Sequence, residues 1–519
     1  MINKKSIINF FAKHWLFLVW LFFGSLLLVY AFTQKPYPTG DAAEYIFMTE
    51  AFINHQSPDI RYEDFESFYR DQSTKSNWAE MGKQDFFLAI ADTIKNFTTL
   101  NSNFLLNHEY IGFVGSEKRK VISIHFFIYP LLNVPVRLLL KPFKVEPLKV
   151  YQITNVLLFV LFICYVVFCF SFEPKVRTAL FFMLLFSPAY WYLGWVHADL
   201  MICIFTGLGL LLFYKQKPLT GMFLVALAGT QNQPLVFLLA YMGFVYWKEH
   251  NFKVFAAFKA IVACVIILWP SLYNYIHFGK TSLISSSGYT GLQYVSFARI
   301  YGFFFDLNQG LIYALPFLLP YFIYIVIKQI IQLKINMNYL LILVVFAMVF
   351  SFSILKLWNM GQAIVSRYAA WVAYIFIAFF IWQVSKGNIK PKIVYFASAV
   401  QVLAFLLLTP VPKNILIHEW NSDKMKWPSK WVLEYLPSMY NPDPDIFAMR
   451  VAAKNAEWAD LPIYYFGSNQ KIKKVLIRKG NPEKLYLPGI DSSLTLSLQQ
   501  NAAYNKLGFA YINQNQLYP

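Results

Sequence analysis

The chain has 519 residues, of which 58% are hydrophobic, 19% aromatic and only 14% charged, with a mean hydropathy of +0.45. Soluble domains carry roughly a quarter of their residues as charges, so a water-borne globular protein is excluded and lipid must be the solvent for most of this sequence. The net charge of +18 does not signal nucleic acid, because no basic run with interleaved aromatics occurs and the lysines gather where the chain turns between apolar stretches.

A hydrocarbon core of about 30 Å asks for about 20 apolar residues per helix. The first such window, 14–34, follows Lys4, Lys5 and Lys13, which predicts a cytoplasmic N-terminus. No small-residue cleavage site follows it, so it reads as a retained span. Residues 35–149 then form a polar external loop with short juxtamembrane helices. Within it, 121–136 is apolar but short and holds Pro130 and Pro135, so it either spans the membrane or lies in its surface. Further windows cover 150–172, 178–198, 260–279, 307–327, 335–355, 368–385 and 393–412, with a shorter one at 200–214. The stretch 218–247 carries the polar patch Gly229-Thr230-Gln231-Asn232-Gln233-Pro234 in its middle, which predicts two short helices meeting at a polar turn. Lys248, Lys253, Lys328, Lys334, Lys386, Lys390 and Lys392 fall on three turns that are cytoplasmic by the same charge rule.

The expected architecture is an all-α polytopic membrane protein. About eleven transmembrane helices lie in residues 1–412, a later external loop at 274–306, and a small external C-terminal domain at 413–519. That tail is α/β or β-containing, because KKVLIRKG, KLYLPG and SLTLSL alternate weakly and end in glycine or polar turns. Cys164, Cys169, Cys203 and Cys264 all lie in apolar windows and read as small core residues, not a disulfide framework.

Directly after the first span, YPTGDAAEYIFMTEAFINHQSPDIR sets Asp41 at the outer membrane face, at the head of a helix bearing Tyr45, Met48 and Phe52. A carboxylate at head-group height is where an acceptor hydroxyl attacking a lipid-phosphate-linked sugar would lose its proton. The leaving phosphate would need cations nearby. Asp41-Ala-Ala-Glu44 also reads as a capping box, and the two roles can coexist.

These features resemble the GT-C superfamily of membrane glycosyltransferases, and are most similar to the bacterial branch related to protein O-mannosyltransferases and the lipid A aminoarabinose transferase. TGDAAEY matches the acidic motif that opens the first external loop there. HFFIYPL, with His125 and Tyr129, is similar to that family's second external helix, although one proline of its usual pair is missing. SPAYWYLGWVHADL, with Pro188, His197 and Asp199, matches a proline-containing third span that ends in a carboxylate. FFFDLNQGLIYALPFLLP and LWNMGQAIVSRYAAW are similar to late spans of bacterial members. The resemblance covers roughly residues 1–410 and leaves the tail out. It implies a polyprenyl-phosphate sugar donor, a lipid, glycan or protein acceptor, inversion at the anomeric carbon and a bacterial inner membrane with the tail periplasmic or extracellular.

On this reading Asp41 is the base, with Glu44 and Tyr45 beside it. His125, Tyr129, His197 and Asp199 contact substrate. Arg299, Lys356 and Arg367 are candidate phosphate contacts and Lys280 a further substrate-binding candidate in the external loop, each also explicable as a head-group anchor or a loop charge. The segment SLISSSGYTGLQY is polar and glycine-rich enough to close over substrate, or is simply a connector. No cofactor is certain, and a divalent metal is left open, with His55 and Asp59 as candidates to complete its site near Asp41. The alternatives are a transporter or flippase of lipid-linked sugars, which would place its ionisable groups near the bilayer midplane, and a non-catalytic cell-envelope scaffold.

Overall fold

A computed structural model describes residues 4–34, 36, 41–71, 84–99, 104–107, 112–332, 337–358, 364–409, 424–454, 456–457, 459–480 and 497–517. The protein is mostly α-helical. Among the described residues, five helices are long and apolar enough to cross a membrane: Trp15–Thr33, Lys149–Cys169, Val254–Phe278, Arg367–Ser385 and Pro391–Leu408. Shorter apolar helices stand beside them at Asp199–Tyr214, Pro218–Gly229, Leu318–Ile331 and Leu340–Ser353. Helix Arg367–Ser385 is 83% buried over its apolar window against 22% for Val254–Phe278, so the former is the central post and the latter peripheral.

The helices run between two ends of the bundle. At one, Lys149 Nζ donates to Phe32 O at 2.7 Å and also to Gln34 O, joining the end of the first helix to the start of the next. At the other, Lys215 Nζ donates to Cys169 O. Helices Asp199–Tyr214 and Pro218–Gly229 pack through glycines: a Cβ on Gly221 would lie 2.3 Å from Gly209 O, so any larger residue forces the pair apart.

Three stretches fold otherwise than a single span; in 307–327 a turn and the short helix Leu311–Ala314 precede helix Leu318–Ile331. In 178–198 the helix Pro174–Leu185 stops short of Pro188, which has no N–H to donate to the preceding turn. A 3₁₀ turn at Pro188–Tyr192 follows, and a buried irregular segment then delivers Trp195 and His197. In 121–136, the strand Val121–Ser123 pairs antiparallel with Phe113–Gly115, and the helix Ile128–Leu140 follows. Its 13 residues reach about 20 Å at 1.5 Å per residue, too short for the bilayer core. Arg137 on that helix is 1% exposed and pairs with Glu50 at 2.7 Å. The polar turn in 218–247 is as expected: helices Pro218–Gly229 and Val236–Glu249 meet at it.

The tail forms a three-stranded antiparallel sheet, with Ile472–Arg478 between Ile463–Phe466 and Phe509–Asn513, backed by helices Trp427–Tyr435 and Pro444–Ala452. KKVLIRKG supplies the central strand, whereas residues 484–489 and 493–496, the other expected elements, lie outside the described residues. The tail is bound to the helical bundle through buried polar groups. Arg299 reaches Asp443 at 3.3 Å, Asp445 at 3.2 Å and Leu355 O at 2.7 Å. Tyr440 donates to Asp306 at 2.7 Å, and Asn308 and Trp358 donate to Tyr440 and Asp443. A Cβ on Gly310 would sit 2.7 Å from Asp306 N, so the Asp306–Gly310 pattern is a tight turn that docks the tail.

Candidate active site

Helix Ala42–His55 begins at Asp41, whose side chain makes no capping hydrogen bond. The capping box is therefore not formed. Glu44 turns instead to Ser123 and to His125, whose Nδ1 lies 3.0 Å from its carboxylate. Asp41 is left to face inward, and one of its oxygens, Oδ2, meets three basic groups: His197 Nε2 at 3.0 Å, His125 Nε2 at 3.4 Å and Arg367 Nη1 at 3.8 Å.

Four segments deliver these side chains. The head of helix Ala42–His55 gives Asp41, Glu44 and Tyr45. The bend after strand Val121–Ser123 gives His125, the irregular segment after Pro188 gives His197, and the first residue of helix Arg367–Ser385 gives Arg367. His197 Nδ1 lies 2.8 Å from Asp199, which also accepts from Trp371 Nε1 at 3.0 Å. The imidazole thus bridges Asp199 and Asp41, and Arg367 Nη1 approaches its Nε2 at 3.1 Å. Tyr45 packs edge-on against His197 and Tyr129, with ring centroids 5.1 and 5.4 Å away, and Tyr129 donates to Asn155 at 3.1 Å.

Burial pushes the Asp41 carboxyl up, but His125, His197 and Arg367 outweigh it and hold the group well below the usual carboxylate range. Burial pushes Glu44 up against the pull of His125. Burial lowers His125, yet Glu44 and Asp41 overcome that and raise it to about 9. The site at neutral pH therefore holds an ionised Asp41 facing two cations, the His125 imidazolium and Arg367. Arg367 Nε is buried and has no hydrogen-bond partner among the described residues.

These groups line a cavity of about 710 Å³. Apolar and aromatic side chains make up much of its remaining wall, including Phe126, Phe127, Trp195, Tyr273, Phe352 and Tyr368, and the turn at 230–233 adds uncharged polar groups. Ser282 to Ser285 and Tyr289 to Thr290, from the glycine-rich segment 282–294, close one side, and Gly291 N donates to Ile354 O at 2.9 Å.

The structure brings Asp41, Glu44, Tyr45, His125, Tyr129, His197, Asp199 and Arg367 together. Three other candidate substrate contacts do not join them. Arg299 is 2% exposed and spent on Asp443, Asp445 and backbone carbonyls. Lys356 pairs with Glu457 at 2.8 Å, and Lys280 lines a separate shallow hollow with Tyr275 and Ser286. His55 and Asp59 do not join either: His55 pairs with Asp64 at 3.2 Å, and Asp59 with Arg61 and Lys120. Asp41, Glu44 and His125 do offer one ligand atom each within 4.8 Å, a donor set suited to a hard divalent cation. The His125 imidazolium and a guanidinium already supply positive charge at Asp41, so no step below is routed through a metal. Sequence reasoning missed Ser123, Trp371 and the amides of Gln231 and Asn232; only the polar patch itself signalled the last two.

No family model, curated protein or solved structure matches the chain.

Proposed function

We propose that the protein is a membrane glycosyltransferase of the GT-C type. It takes a sugar from a polyprenyl-phosphate carrier and passes it to a lipid, glycan or protein acceptor at the non-cytoplasmic face, in a bacterial inner membrane. The observation that carries this reading is the contact of one Asp41 oxygen with His125, His197 and Arg367 inside a largely apolar cavity.

The chemistry follows from those charges. The acceptor hydroxyl attacks the anomeric carbon from the face opposite the phosphate and gives its proton to Asp41 as the new C–O bond forms. The bond between anomeric carbon and phosphate oxygen breaks, and polyprenyl phosphate leaves with inverted stereochemistry at the sugar. A carboxylate held this low is a weak base, which suffices because the hydroxyl becomes acidic as it bonds to an electron-poor carbon. Arg367 and the His125 imidazolium stabilise charge collecting on the departing phosphate, and do so best where water is scarce. The apolar and aromatic walls suit an isoprenoid chain.

We read the chain as crossing the membrane about eleven times. Thr230, Val236 and Arg367 line the cavity and Asp199 sits behind its His197, while Lys217, Lys248, Lys386 and Lys215 stand at the opposite ends of the same helices. Under the charge rule the cavity then faces outward, the N-terminus inward and the tail outward. The test is transfer by the purified protein in vesicles from a radiolabelled polyprenyl-phosphate hexose: wild type is expected to consume the donor, and Asp41→Asn to leave it intact.

A further inference from the structure

The turn between helices Pro218–Gly229 and Val236–Glu249 holds Thr230, Gln231, Asn232 and Gln233, all four of which line the cavity. Reversing two helices requires a turn but not this density of amides. Gln231 Nε2 donates to Phe126 O at 2.7 Å, and Phe126 follows His125, so the turn is fastened to the loop that carries His125. Asn232 is only 5% exposed, yet its Nδ2 has no hydrogen-bond partner among the described residues, and neither does the buried Gln231 Oε1. Buried amide atoms without partners are rare and costly, and two in one cavity wall point to a ligand that satisfies them.

The chemistry of that ligand can be read from the wall. Thr230, Gln231, Asn232, Gln233 and the nearby Asn274 bring no charge, in contrast to the Asp41 side. An amide offers both donors and acceptor, matching a hydroxyl that does the same. Phe126 and Tyr273, with ring centroids 6.0 Å apart, supply apolar faces for the C–H side of a ring. We propose that the 230–233 turn is the subsite that recognises the hydroxyls of an uncharged sugar ring, with Asn232 as a specificity-determining residue. This rests on the glycosyltransferase reading of the same cavity.

The test compares two probes on the purified full-length protein: polyprenyl-phosphate glucose and bare polyprenyl phosphate. Wild type is expected to bind the glucosylated lipid more tightly. Asn232→Leu, close in volume but without the amide, is expected to weaken the glucosylated lipid about three- to tenfold, the range for a lost neutral hydrogen bond, and to leave bare polyprenyl phosphate unchanged. That unchanged affinity is also the control for folding. Should Asn232→Leu bind neither lipid, Asn232→Ser takes its place with the same expected difference. Unaltered affinity of the folded variant for the glucosylated lipid overturns the sugar subsite and leaves the carrier reading standing. Failure of wild type to bind either lipid overturns the carrier reading, and this proposal with it.

Discussion

Replacing Asp41 with Asn separates catalysis from architecture at a single atom. The residue stands where a helix cap would, and Asn caps helices as well as Asp does. Asp41 makes no side-chain capping bond in any case, so the variant should insert and fold like wild type. The amide oxygen can still accept from His197, now 3.0 Å away. The charge is lost, and with it the capacity to take a proton. General-base catalysis contributes about 10²–10⁴-fold, or about 3–5 kcal/mol of barrier, and kcat should fall by that factor. Removing the anion also leaves Arg367 and the Nε2 side of His125 without the Asp41 counter-charge, so the KM for an anionic donor should stay level or drop. The assay is initial-rate sugar transfer by detergent-purified protein across donor concentrations. A variant with wild-type kcat would refute the base assignment, and one with unchanged kcat and raised KM would make Asp41 a binding group.

Arg367→Met should raise donor KM by about 10- to 100-fold, the range for hydrogen bonds to charged groups, and Arg367→Lys should recover only part, because a lysine cannot reproduce the planar fork; steady-state kinetics decide it. His125 carries its proton below about 9, so its raised value works in one direction: the cation pair is complete at neutral pH and weakens as pH climbs through 9. Donor KM should be flat from about pH 6.5 to 8 and rise above 9, and His125→Gln should remove that rise. Arg299→Met leaves Asp443 and Asp445 buried without their cation, a loss of about 3–5 kcal/mol. The tail should then become protease-sensitive while the helical bundle stays resistant in limited proteolysis.

Much of the helical layout was legible because apolar windows and flanking lysines are local signals. The break at Pro188 could have been read from the missing N–H, but the long apolar run masked it. The site was legible where ionisable residues interrupt nearly charge-free sequence, which singles out Asp41, Glu44, His125, His197, Asp199 and Arg367. Charge alone does not name its partner, however. Arg299 is neutralised by Asp443 and Asp445, some 145 residues later, and Lys356 by Glu457, about 100 residues later. The capping box fails for the same reason, since Glu44 finds Ser123 and His125 about 80 residues away. The polar patch 229–234 gave away the turn but not that its amides share a cavity with Asp41.

The central claim is that a phosphate-linked sugar is cleaved at this cavity instead of being carried past it. The most direct measurement follows a polyprenyl-phosphate hexose, labelled in the sugar, in sealed vesicles holding the purified protein and a mixture of candidate lipid and glycan acceptors. The expected result is label leaving the donor with formation of free polyprenyl phosphate in equal amount. Intact donor appearing on the opposite leaflet, with no polyprenyl phosphate released, would contradict it and make the protein a flippase.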